Sequence, residues 1–220
     1  MVLILVPTVV EAALLVADAG DLQFGRPRQA SITGRPIQLA LCGFGLAAAG
    51  VGASYSLLNS VESIDQAILV GTAGTYDVDS AAVASAVVGR SVRCIDIGVP
   101  NAAGNRLTVE VPGLSLWPDE LPLSVPETLG HLPEAMLLSV AGPAVSADHA
   151  QTRHHDFPTA LAEEMEGYAV AVACKTMGVP LTIVRGISNL AGDRDKAKWR
   201  MREAMQAVKT ALEIAVESMA

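Results

Sequence analysis

Carboxylates, a guanidinium and a carboxamide gather in the stretch 163–195. Glu163-Glu164-Met165-Glu166-Gly167 opens it, and Arg185-Gly186-Ile187-Ser188-Asn189 follows the next apolar run. Carboxylates accept hydrogen bonds from sugar hydroxyls, and an amide sets a donor beside an acceptor, so the set suits a ligand that joins a sugar to a heterocyclic base. Two earlier segments extend it. Pro7, Thr8 and Glu11 follow the first apolar run, and Gly71-Thr72-Ala73-Gly74 follows the third. In open α/β sheets ligands collect outside the carboxyl ends of the strands, which would bring all four segments to one cleft.

Taken singly, each group has a plainer use. Glu11 in the first turn of a helix complements the helix dipole. Thr72 between small residues and Asn189 ahead of Gly192 are ordinary turn chemistry, and Arg185 suits an ion pair at a sheet end. Glu166 is sharper. Read as part of a helix over 161–177, it precedes the almost wholly apolar residues 168–174, so its carboxylate is buried and must be satisfied. Glu163 and Glu164 read as solvated neighbours on that helix.

Other motifs carry less. Gly43-Phe44-Gly45 follows a strand, but the next glycine is Gly50, off the dinucleotide spacing, so close packing or approach to a sugar is the better reading. Cys42, Cys94 and Cys174 show no metal or disulfide spacing and read as packed, reduced thiols of a cytosol. His154 and His155 are adjacent and read as exposed, and His131 and His149 sit in loops without a partner. Neither a metal nor a cofactor is expected.

The elements that must position these groups follow from hydropathy. Continuous apolar runs at Val2–Val6, 37–41, 66–70, 92–97, 135–140 and 181–184 predict strands covered on both faces. Helices are predicted between them, over 9–18, 45–60, 80–88, 161–177 and 195–219. The fourth is stopped by Gly178 and Pro180. The pattern predicts an α/β fold, a three-layer sandwich around a central mixed sheet, in a single domain over 1–220. Segments 20–35 and 99–131 read as loops, the second as a lid or subunit contact.

Composition excludes several classes. With 220 residues, 51% hydrophobic and 17% charged, the chain can bury one substantial core. A net charge of -8 and no basic patch argue against a nucleic-acid polymer as partner. The apolar N-terminus lacks a basic leader and is broken by Pro7, Glu11 and Asp18, well short of the ~20 apolar residues of a span, which points to a soluble cytoplasmic protein away from the membrane.

Taken in order along nearly the whole chain, Glu11, Gly71-Thr72-Ala73-Gly74, Glu164-Met165-Glu166-Gly167 and Arg185-Gly186-Ile187-Ser188-Asn189 resemble the purine nucleoside phosphorylase and nucleosidase superfamily. Within it, Arg-Gly-Ile-Ser-Asn followed by Gly192-Asp193-Arg194-Asp195 is most similar to the futalosine hydrolase branch. The resemblance implies a nucleoside phosphorylase-like fold and hydrolysis of futalosine to hypoxanthine and dehypoxanthine futalosine in menaquinone biosynthesis. It also implies residue roles. Met165 would pack under the ribose, and Glu166 would accept from its hydroxyls. Glu11 would activate water, held with Arg185 and Thr72, while Ala73 and Gly74 line the site and Ser188 and Asn189 address the purine.

These roles agree with the chemistry, because cleaving an N-glycosidic bond builds positive charge on the sugar and negative charge on the leaving base. Adenine-specific methylthioadenosine/S-adenosylhomocysteine nucleosidases have Asp where this chain has Asn189, which implies a 6-oxopurine here. The similar phosphorylases carry a phosphate loop after strand one, where this chain has Pro7-Thr8-Val9-Val10-Glu11, so water is favoured as nucleophile; Arg26, Arg28 and Arg35 keep phosphate as the alternative. Futalosine bears a carboxylate on its 5′ side, for which Arg26, Arg28 and Arg153 are candidates, and 4% aromatic residues imply aliphatic walls. A homodimer that completes the pocket with a neighbour's 99–131 loop is the family expectation. The alternatives are a methylthioadenosine/S-adenosylhomocysteine nucleosidase, a purine nucleoside phosphorylase and a nucleoside-binding protein on the same fold that leaves its ligand intact.

Overall fold

The computed structural model describes residues 1–16, 19–97, 99–100, 107–108 and 118–218. In chain order the elements are β1 (Val2–Val6), α1 (Val9–Leu15), β2 (Arg28–Ile32), β3 (Arg35–Leu41), α2 (Leu46–Leu58), β4 (Gln66–Thr75) and β5 (Ala86–Cys94). A short ribbon follows, β6 (Val99–Pro100) with β7 (Leu107–Thr108), then β8 (Glu120–Pro122) and β9 (Glu134–Ser139). The chain ends with α3 (Ala147–Asp156), β10 (Ala160–Glu164), α4 (Gly167–Thr176), β11 (Leu181–Leu190) and α5 (Met201–Ser218).

The main sheet runs β10-β9-β5-β11-β4-β1-β3-β2, with β8 on β5. It is mixed: β1 lies parallel to β3 and β4, and β11 parallel to β4, whereas β11 meets β5 antiparallel. The far end of β4 also pairs with β10, so β4, β11, β5, β9 and β10 close into a ring. That closure draws Glu163 opposite Gly74.

Alternation inside the continuous apolar runs builds the layers. Leu3 and Leu5 of β1, with Ala67 and Leu69 of β4, join Ala49 and Ala53 of α2 and Val170 and Ala171 of α4 in one core. Ile4, Val6, Ile68 and Val70 point the other way, onto Leu15 of α1 and Met205, Val208 and Leu212 of α5. The predicted three-layer sandwich with a central mixed sheet is the observed fold. Among the described residues no helix is long and apolar enough to cross a membrane.

Several predicted elements are corrected. The helix over 80–88 does not form; residues 80–85 turn, with Ala84 at φ 72, and Ala86 starts β5 because Val87 and Val88 pair with β11. Segment 20–35 is not all loop, since β2 and β3 form a hairpin turned at Thr33 and Gly34, both at positive φ. The helix over 161–177 is instead β10 followed by α4. The last helix begins at Met201, after a turn of 3-10 helix at Lys196–Lys198. Helix α3 had no apolar periodicity to reveal it; Ser146 caps it by accepting from the His149 N–H at 3.2 Å. Much of segment 99–131 lies outside the described residues, and its described end holds β8 and a short 3-10 turn at Glu127–Leu129.

Candidate active site

The β10–α4 junction supplies the acidic part of the site. Helix α4 starts with N–H groups that need acceptors, and the side chain of its N-cap, Glu166, leaves them unserved. Glu164 serves them instead: its Oε2 accepts from the Glu166 N–H at 3.0 Å and the Gly167 N–H at 2.7 Å. The same carboxylate pairs with Arg185 and accepts the Ser139 hydroxyl, whose oxygen accepts the Tyr168 N–H at 2.7 Å. Glu163 accepts from the Tyr76 hydroxyl at 2.8 Å, the Ala144 N–H at 2.7 Å and Arg153 at 2.7 Å. Both were expected to be solvated, and both are buried. A strand, not a helix, carries them beneath the sheet end, so each has collected a cation and hydrogen-bond donors.

Glu166 is left facing the cleft. Its Oε1 accepts the Gly45 N–H at 2.9 Å, and its Oε2 lies 3.2 Å from Arg185. Gly45 stands at φ 81 just before α2, so the Gly-Phe-Gly segment delivers a backbone donor to this carboxylate. Burial pushes the Glu166 carboxyl up to about 7; the Arg185 charge pulls against this and Glu164 adds to it. Burial opposes the charge of Arg185, but Glu164, Glu166 and Glu11 hold its pKa above the usual guanidinium value.

Glu11 approaches from the other side. Its Oε2 accepts the Thr8 hydroxyl at 2.7 Å, while Thr8 caps α1 by accepting the Glu11 N–H. Its Oε1 accepts the Thr72 N–H at 3.0 Å and the Thr72 hydroxyl at 3.2 Å. Three donors therefore fix a carboxylate that is only 6% exposed. Gly71 is the spacer between it and the guanidinium: a Cβ there would stand 2.2 Å from Arg185 Nη1 and 3.1 Å from Glu11 Oε1. Thus Arg185 touches Glu164 and Glu166 directly and reaches Glu11 across Gly71 through its charge.

Ser188 and Asn189 lie within β11, which extends beyond the predicted end at 184. A register shift between Ile187 and Asn189 against β4 makes a bulge at Ser188, which re-aims the two side chains. The Ser188 hydroxyl contacts the Ala73 carbonyl at 3.2 Å and the Asn189 carbonyl at 2.7 Å, and the Asn189 amide donates to the Leu190 carbonyl at 2.7 Å. Each end of that amide keeps one further hydrogen-bonding position, because a carbonyl has two lone pairs and an NH₂ two hydrogens.

All the predicted site residues except the fully buried Arg185 line one cleft of about 460 Å³: Glu11, Thr72, Ala73, Gly74, Met165, Glu166, Ser188 and Asn189. Phe44, in the segment read as close packing or approach to a sugar, lines it too, as do Arg194, Lys196, Trp199 and Met201, which were not foreseen as site residues. Alternating charges in 193–198 were the one available signal for the cations. The predicted 5′ cations do not reach the cleft. Arg26 lies by Phe24 and Tyr55, Arg28 faces a separate pocket against α5, and Arg153 is taken by Glu163. The third arginine of the phosphate alternative, Arg35, donates to the Glu217 carbonyl at 3.3 Å. His154 is not simply exposed, since its ring stacks on Tyr76 with centroids 5.6 Å apart. The three cysteines are buried, and burial raises the Cys174 thiol to about 12. Among the described residues no cluster of three potential ligands could hold a metal.

The family model described as the phosphorylase superfamily matches residues 2–219. Among curated proteins, a futalosine hydrolase of Streptomyces coelicolor is 34% identical over 186 residues, 77% of each chain. A 5'-methylthioadenosine/S-adenosylhomocysteine nucleosidase of Psychromonas ingrahamii is 30% identical over 178 residues, covering 78% of this chain and 75% of that one. Among solved structures, the Neisseria meningitidis 5'-methylthioadenosine/S-adenosylhomocysteine nucleosidase in complex with methylthio-immucillin-A superposes with a TM-score of 0.77 at 21% identity over 98% of both chains. The futalosine hydrolase of Helicobacter pylori gives 0.75 at 18% identity, over 99% of this chain and 97% of that one.

Proposed function

The chain belongs to the phosphorylase superfamily, and from that premise we propose that it hydrolyses the N-glycosidic bond of futalosine, releasing hypoxanthine. At the coarser level it is a nucleosidase, an enzyme of the N-glycosyl hydrolase class that acts on a small nucleoside. The single observation that carries the mechanism is the pair of differently held carboxylates on one cleft. Glu11 is fixed by three donors, and Glu166 lines the same cleft with a raised pKa.

In this reading Glu11 takes a proton from water as the water attacks the anomeric carbon. Thr8 and the N–H and hydroxyl of Thr72 hold that carboxylate in place, with the Arg185 charge behind it across Gly71, and Glu166 accepts from the ribose hydroxyls above Met165, where its charge offsets the growing oxocarbenium character. Asn189 accepts from protonated N7 through its carbonyl and donates to a 6-oxo group through its amide, with Ser188 orienting it. An adenine base presents a donor where the amide also donates, which disfavours it. Water is preferred over phosphate because Arg26, Arg28 and Arg35 all stand outside the cleft.

The physiological assembly is proposed to be a homodimer. Val51, Tyr55 and Leu58 make an exposed apolar stripe along one side of α2, from its middle to its C-terminal end. The test of substrate is free base measured by chromatography after incubation with futalosine, inosine and methylthioadenosine. Hypoxanthine from futalosine well ahead of adenine from methylthioadenosine is expected, and the reverse order would make the chain an adenosine-type nucleosidase.

A further inference from the structure

Each acid of the cleft is already satisfied within the fold, Glu163 by Arg153, Glu164 and Glu166 by Arg185, and Glu11 by Thr8 and Thr72. Two exposed cations on the rim are not. Arg194 and Lys196 line the cleft, and among the described residues no carboxylate forms an ion pair with either. They lie in the run Asp193-Arg194-Asp195-Lys196-Ala197-Lys198, where the acids are spent on the turn itself. Asp193 accepts the Asp195 N–H at 2.9 Å, and Asp195 accepts the Ala197 N–H at 3.2 Å and faces Lys198 at 3.6 Å.

The loop that carries them is anchored. The Arg200 N–H donates to the Ser188 carbonyl at 2.8 Å, so the excursion leaves and returns beside Ser188 and Asn189. Gly192, at φ 83, packs so closely on Ser146 that a Cβ would stand 2.2 Å from its carbonyl oxygen. The Trp199 indole donates to the Asp193 carbonyl at 3.1 Å, and the Arg194 guanidinium lies 5.6 Å from the centre of its ring. Both cations are thus presented on a fixed rim, with Trp199 and Phe44 supplying apolar surface on the same cleft.

We infer that Arg194 and Lys196 form an anion-recognising subsite at the cleft rim, which selects nucleosides carrying a negatively charged substituent remote from the glycosidic bond. The inference rests on the nucleosidase reading above and assigns the specificity that the loop arginines and Arg153 cannot supply. A neutral substituent leaves both cations without a partner, whereas a carboxylate gains charge-assisted hydrogen bonds.

The test compares an inosine bearing a carboxybenzoyl group on its 5′ side with its carboxamide counterpart, by kcat/KM for base release. The native enzyme is expected to favour the carboxylate by about tenfold or more, with the advantage shrinking as salt is added. In Arg194→Ala/Lys196→Ala the ratio falls towards one, and in Arg194→Glu/Lys196→Glu it inverts; thermal unfolding confirms that each variant is folded. A ratio near one in the native enzyme, or an advantage kept in both variants, overturns the subsite and leaves the nucleosidase reading standing. Carboxamide cleavage that depends on inorganic phosphate, and loses that dependence in the variants, would give the cations to phosphate and also overturn it. Release of base from neither compound would sink the nucleosidase reading alone, because calorimetric affinities for the same two compounds then decide the subsite by the same ratio.

Discussion

In the proposed mechanism Glu166 faces two opposed demands, since burial favours its neutral form and a sugar developing positive charge needs its anion. With its carboxyl held up to about 7, the ionised fraction changes across the neutral range. For an acid whose folded pKa lies above its ordinary 4.5, the stabilising proton is present at low pH and lost as pH rises through about 7, so the free protein is less stable on the alkaline side. Catalysis runs the other way. The kcat/KM profile should rise with a midpoint near about 7, and this limb should vanish in the residual activity of Glu166→Gln; a flat profile between about 6 and about 8 would remove Glu166 from the chemistry. In the proposed reading Asn189 decides the base. Asn189→Asp should lower the ratio of 6-oxo to 6-amino nucleoside cleavage by about tenfold or more, measured with matched inosine and adenosine compounds, and an unchanged ratio would free the choice of purine from this residue.

The elements show where sequence sufficed and where it misled. Val2–Val6 was legible because parallel strands buried on both faces read as unbroken apolar runs. The β10–α4 junction was not, because Glu163-Glu164-Met165-Glu166 reads equally well as a helix. What makes it a strand is pairing with β9 and β4, which no local pattern encodes. Burial of Glu164 follows from that pairing, and with it the capping of α4. Glu164→Gln should therefore destabilise the fold by about 3 kcal/mol, read from urea unfolding, because it leaves Arg185 short of a buried partner. A loss within the ~0.5 kcal/mol of surface substitutions would return Glu164 to the solvated role its sequence suggested.

Across the whole molecule, the closed ring of five strands brings Gly74, Glu163 and Asn189 to the end where β1 delivers Glu11. The gathering of ligands outside the carboxyl ends of strands predicted this convergence for Glu11, Gly74 and Asn189, whereas Glu163 was read as solvated. The rim did not show itself in the same way, since Trp199 and Met201 are isolated apolar residues in sequence and join Phe44 on the cleft only when the loop after β11 folds back to Ser188. At this scale the apolar stripe of α2 predicts a particle of twice the 22.8 kDa chain mass by light scattering, and Tyr55→Glu should shift it towards the monomer. A native protein that is monomeric and fully active would end the dimer proposal.

The decisive measurement is the release of hypoxanthine from futalosine by the purified enzyme in buffer freed of phosphate, compared with the Glu11→Gln variant. Hydrolysis by a water-activating carboxylate predicts release that phosphate does not accelerate, slowed by about 10²–10⁴-fold in the variant. Release only when phosphate is added, or an equal rate from Glu11→Gln, would contradict it.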